Sequence, residues 1–101
     1  MAVVAGSFVA IGQSAVLTPE LGSTRGSGQF NVLLSGMVTG DLVTLERSFD
    51  GGITFFSVAD FDGTTVPTVN EVRAEPETSV QWRFDCTALA AAGPIVFRLS
   101  T

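Results

Sequence analysis

Residues 41–58 read DLVTLERSFDGGITFFSV, and this stretch decides the fold. Val43, Leu45 and Phe49 fall on one side of the chain, and Leu42, Thr44, Glu46 and Ser48 on the other. A period of two marks a half-buried strand. Arg47 interrupts the apolar series, so it must sit at the rim of that face or meet a carboxylate. Asp50-Gly51-Gly52 then supplies the positive φ angles of a tight hairpin turn. Ile53 to Val58 is a second β-prone run. Strand, glycine turn and strand specify a fold element and no reaction.

The rest of the chain repeats the pattern. Phe30, Val32 and Leu34 alternate with Gln29, Asn31, Leu33 and Ser35. Gly36 to Gly40 links that strand to the central hairpin, so 29–35 and 41–49 are predicted to be antiparallel neighbours. Asp60-Phe61-Asp62-Gly63 reads as a turn, Pro67 as an edge or loop, and Val69 to Ala74 as a shorter strand. Val80, Trp82, Phe84 and Cys86 alternate with Gln81, Arg83 and Asp85. Ile95, Phe97 and Leu99 alternate with Val96, Arg98 and Ser100. The alanines of 87–94 could form one helical turn, which Gly93-Pro94 stops. No stretch sustains a helical period. The expectation is an all-β chain, an antiparallel β-sandwich or small β-barrel of about six to eight short strands.

Residues 1–19 carry no side-chain charge. They lack the cationic start of a secretory signal, and Gly6, Ser7, Gly12, Gln13 and Ser14 interrupt any membrane span. Two readings stand: a first strand pair within the domain's own sheet, or an extended arm packing on a neighbour. The predicted division is an N-terminal arm at 1–20, a Gly/Ser hinge at 21–28 and a β-sandwich body at 29–101. On the arm reading Val3, Val4, Phe8, Val9 and Ile11 contact the partner, and deleting 2–18 removes attachment while the body stays folded. The glycines of 20–28 precede a strand and no Lys-Ser/Thr, unlike a phosphate cradle.

The chain has 101 residues, a single domain's worth. A chain of that size buries roughly 60–70% of its extended surface, enough for a core without staples. Ten carboxylates against five arginines and no lysine give a net charge of −5, which disfavours nucleic acid and anionic membranes as partners. The lone Cys86 cannot form an internal disulfide, which fits a reducing cytoplasm; its phase with Trp82 and Phe84 makes it a small core residue.

Chemistry is scarce. Without histidine there is no Ser-His-Asp arrangement, and one cysteine leaves zinc short of soft ligands. Glu75 and Glu77 flank Pro76 in an apparent turn and read as solvated carboxylates. Asp60 and Asp62, with Asp50 approaching, would be the donors of a surface calcium site; the distal glutamate and helices of an EF-hand are missing. No catalytic residue, metal or cofactor is expected. Glu46, Arg47, Glu71, Arg73, Arg83 and Asp85 alternate onto strand faces as candidate cross-strand ion pairs. Ser48, Asp50, Gly52 and Phe55 match the spacing of the Asp-box, the hairpin motif that repeats around sialidase propellers away from their active sites. These four read as structural: the oxygens accept turn N–H groups, the glycine takes a conformation closed to other residues, and the aromatic packs beneath. Trp82 is read as core, with a sugar-stacking platform as the alternative.

The runs GQFNVLLSG (28–36) and VTLERSFDGGITF (43–55), with VQWRF (80–84) and FRLS (97–100), resemble small virion proteins of tailed bacteriophages. Such proteins typically read Phe-Asn-Val, then Val-Thr-Leu-x-Arg-Ser-Phe-Asp-Gly-Gly-x-Thr-Trp, and Phe55 stands where tryptophan is commoner. The likeness spans roughly residues 17–100. It implies a non-enzymatic β-sandwich on the head surface of the virion, assembled in the host cytoplasm. Its expected role is capsid decoration, bound to major capsid protein subunits as a homo-oligomer, with a trimer favoured by the shell's symmetry. The alternative is a carbohydrate-binding or adhesion module of a head spike or tail fibre, which needs Trp82, or Phe55, Phe56 and Phe61, exposed.

Overall fold

A computed structural model of the chain describes residues 3–19, 28–77, 79–90 and 94–101. The strands are β1 (Val3–Phe8), β2 (Gly12–Gln13), β3 (Gln29–Ser35), β4 (Leu42–Ser48), β5 (Phe56–Asp62), β6 (Val69–Ala74), β7 (Gln81–Ala88) and β8 (Ile95–Ser100). They form two antiparallel sheets of four, ordered β1-β8-β3-β6 and β2-β7-β4-β5. The chain is an all-β antiparallel sandwich, and the two strand orders together are those of a jelly roll. Among the described residues no helix is long and apolar enough to cross a membrane.

Alternation builds the interior. Phe30, Val32 and Leu34 of β3, Val43 and Leu45 of β4, Trp82, Phe84 and Cys86 of β7, and Ile95, Phe97 and Leu99 of β8 are all buried. Aromatic pairs cross between the layers: Phe30 meets Trp82 at 4.8 Å and Phe84 meets Phe97 edge-on at 6.0 Å. Each such pair adds about 0.5–1.5 kcal/mol beyond the area it hides.

Several sequence expectations are corrected here. β3 and β4 are not neighbours: β3 lies between β8 and β6, and β4 between β7 and β5. The linker 36–41 carries the chain from one layer to the other, its Met37 buried and its N–H donating to the Pro67 carbonyl. Among the described strands, β4 to β5 is the one sequence-adjacent pair that hydrogen-bonds. That hairpin is also looser than expected. β4 closes at Ser48, β5 opens at Phe56, and Phe49 lies beyond the strand and half-exposed. Asp60 and Asp62 belong to β5, and the turn begins at Gly63, with the Thr65 and Val66 N–H groups donating to the Asp62 carbonyl. β6 presents Glu71 and Arg73 on its inner side, where they pair at 2.7 Å, and Val72 outward.

Residues 3–19 belong to the body, as the first reading has it, but as two strands in different sheets rather than as a pair within one. β1 runs along β8 from Val3–Ser100 to Phe8–Ile95. β2 pairs with β7, and Leu17 bridges Trp82 through reciprocal backbone bonds of 2.8 Å. Phe8 and Leu17 are core residues, Phe8 lying 4.6 Å from the Phe97 ring. Removing 2–18 would therefore strip strands and core from both sheets rather than release an arm. Residues 20–27, most of the expected hinge, lie outside the described residues.

Candidate functional site

The loop joining β4 to β5 is built around two side-chain oxygens. Ser48 Oγ, fully buried, donates to Asp50 Oδ1 at 2.7 Å and accepts the Gly52 N–H at 3.0 Å. Asp50 Oδ1 also accepts the N–H groups of Ile53 at 3.2 Å and Thr54 at 2.9 Å. Gly52 has φ +91°, a conformation that asks for glycine; the atom nearest to an added Cβ, Gln81 Oε1 at 2.8 Å, is the end of a flexible side chain that can swing aside. Phe55 lies beneath the Arg83 guanidinium at 3.6 Å, and Arg83 pairs with Glu46 at 2.9 Å across β7 and β4. The loop is preorganised, and its four motif residues hold it.

The Thr54 N–H, with the Ser48 hydroxyl second, holds the Asp50 carboxyl down from 3.8 to about 2. A folded pKa below the unfolded one contributes stability that is complete above the unfolded value and disappears as pH falls through the folded value. Wild-type protein is therefore expected to lose denaturant resistance between pH 4 and pH 2 in part through this group. Asp50→Asn should be weaker at neutral pH and lack that component of the acid slope. Urea midpoints for both proteins at the two pH values check this.

Arg47 finds its carboxylate in Glu75. Glu75 is fully buried, against the expectation of a solvated turn. Its Oε1 accepts from Arg47 Nη2 and, at 3.1 Å, from Trp82 Nε1; its Oε2 accepts the Glu77 N–H at 3.1 Å. The guanidinium lies 4.5 Å from the Phe49 ring and 5.4 Å from that of Trp82, and its Nε has no partner. The only sequence signal for this cluster is an arginine in an apolar series. Nothing in the sequence around it marks Asp41. It is buried, and accepts from Val38 N at 2.9 Å and Ala90 N at 2.8 Å, tying two inter-layer loops together.

Other expected sites separate. Asp60 accepts from Thr44 Oγ1 at 2.8 Å and Asp62 from the Thr64 N–H at 2.8 Å. Asp50 stands at the opposite end of β5 from Asp62, roughly 20 Å away, so the three do not converge. No group of three or more potential metal ligands occurs among the described residues. Cys86 is a buried free thiol pushed up by burial and then by Asp41 and Asp85. Trp82 is 3% exposed and Phe61 8%, which removes both as sugar platforms. Of the expected contact residues, Phe8 faces the core and Val4 packs against it, while Val3, Val9 and Ile11 are exposed.

The two outer faces of the sandwich differ. The β2-β7-β4-β5 sheet turns out Glu46, Asp60, Asp62 and Asp85 against Arg83. The outward positions of β1-β8-β3-β6 include Val3, Ala5, Leu33, Val72 and Val96, and Arg98 is their one charge. Phe49, Ile53 and Phe56 add an exposed apolar tip at the rigid 49–55 loop. Neither protein-family models, nor curated proteins, nor solved structures return a match to this chain.

Proposed function

We propose that this chain is a non-enzymatic structural protein of a tailed-bacteriophage particle, a capsid decoration protein that binds and stabilises the head shell. The observation that carries the reading is the contrast between the outer faces. The outward positions of one sheet of an acidic chain carry a single charge, Arg98, and present exposed valines, the composition of a face meant to be covered by protein. The buried polar groups point the same way. Asp41, Ser48 and Glu75 spend their hydrogen bonds on neighbouring loops and Arg47, so their chemistry goes into holding shape. Two likenesses support the particle assignment by analogy. Jelly rolls serve in viral capsids, though also in lectins and cupins, and the runs at 28–36 and 43–55 resemble phage virion proteins.

The test is a reconstruction of the particle that carries this chain, with its copies expected on the icosahedral shell in contact with the major capsid protein. Val72→Asp with Val96→Asp, at exposed positions, should leave the fold intact and abolish co-sedimentation with shells. Copies confined to the tail, or undiminished shell binding by the double variant, would refute the reading.

A further inference from the structure

An edge strand leaves alternate N–H and C=O groups pointing away from its sheet, a template for another chain unless something guards it. The described sheets end in β1, β6, β2 and β5. β6 carries Glu71 and Arg73 on its inner side, a charged obstacle to any strand laid beside it. β5 has a register shift opposite Leu45/Glu46 and the carboxylates of Asp60 and Asp62. β2 is only Gly12–Gln13. Among the described residues β1 has no such guard. Its sequence VVAGSF has no charge and no proline, and it follows β8 in unbroken register from Val3 to Phe8.

We infer that the free edge of β1 receives β1 of a second copy, antiparallel, giving a two-fold dimer in which the two β1-β8-β3-β6 sheets become one. Charge argues for a copy of the chain as the occupant. At net −5, two copies repel through most approaches. At this edge the outward side chains are Val3, Ala5 and Ser7, with Val96 and Arg98 behind them on β8, so no carboxylate meets a carboxylate. Symmetry argues for it too. In an antiparallel self-pairing the outward N–H groups of one strand face the carbonyls of an identical strand at the same spacing, and a two-fold axis closes the contact. Val9 and Ile11, 70% and 67% exposed just past β1, extend the apolar strip available to the partner. The dimer also merges two nearly neutral outer faces into one continuous surface.

The inference stands apart from the particle assignment, and purified full-length chain alone tests it. Sedimentation equilibrium over a dilution series is expected to give twice the chain mass at high concentration and the chain mass at low. The thermal midpoint should rise with concentration, because association stabilises only the folded form. Val3→Lys with Ser7→Lys places cations on the exposed side of the edge. This variant should sediment as a monomer throughout, with a concentration-independent midpoint equal to that of dilute wild type. A wild-type monomer at every concentration would overturn the proposal. So would a trimer, or a dimer that persists in the lysine variant.

Discussion

Glu75→Ala is expected to lower the unfolding free energy by about 3–5 kcal/mol, because a buried ion pair would lose one partner and leave the other uncompensated. The loss spreads over three groups. Arg47, whose side chain is 27% exposed and whose Nε already lacks a partner, loses its carboxylate. Trp82 Nε1, deep between the sheets, loses its acceptor. The Glu77 N–H loses its bond as well. For a domain of this size the cost should appear as a fall of roughly 15 °C or more in the thermal midpoint. Glu75→Gln keeps an acceptor for Trp82 and should fall in between. Arg47→Met combined with Glu75→Leu should cost much less than the two single changes added together, since the two residues act on each other. Urea and thermal unfolding followed by Trp82 emission measure all five variants, the two single changes included, because the one tryptophan reports on this cluster directly. A loss under 1 kcal/mol for Glu75→Ala, about that of an exposed ion pair, would show that the cluster does not hold the sheets.

Gly63→Ala is expected to be comparably severe, at about 3 kcal/mol or above, the upper end of what forced overpacking costs. A Cβ on Gly63 would stand 2.0 Å from the Val38 carbonyl oxygen and 2.7 Å from its carbon. Those atoms are backbone, so no rotamer change relieves the overlap. The segment they belong to is pinned: the Gly63 N–H donates to the Asp41 carbonyl at 3.0 Å, and the Asp41 carboxylate holds Val38 N and Ala90 N. Moving 36–41 aside would break the tie among three loops at that end of the sandwich. Thr64→Ala, next door and exposed, should stay within about 0.5 kcal/mol of wild type. Chemical denaturation of the two variants side by side gives the comparison.

These two positions mark where the sequence was and was not readable. Alternation placed Phe30, Val32, Leu34, Trp82, Phe84, Phe97 and Leu99 inside, because a period of two is local information. Ser48, Asp50 and Gly52 were readable for the same reason, since their bonds close within a few residues. Strand partners were not local. Val43–Thr44–Leu45 predicts a buried face equally well beside β3 or beside β7, and only the packing of the layers selects β7. Glu75 looked solvated because its neighbours are Pro76 and Glu77. Its burial depends on Trp82 of the next strand and on Arg47, 28 residues earlier. Gly63 looked like an ordinary turn glycine after an aspartate, with nothing nearby to announce Val38.

The jelly-roll order has a consequence for synthesis. β8 lies between β1 and β3, so neither can complete its hydrogen bonding until residues 95–100 have left the ribosome. The 42–62 hairpin can form early, but it is the one local strand pair available. β3 with β6, and β4 with β5 and β7, can pair before β8 emerges, whereas β1 has no partner until β8 arrives. A chain cut before residue 95 would leave both flanking strands without their shared partner.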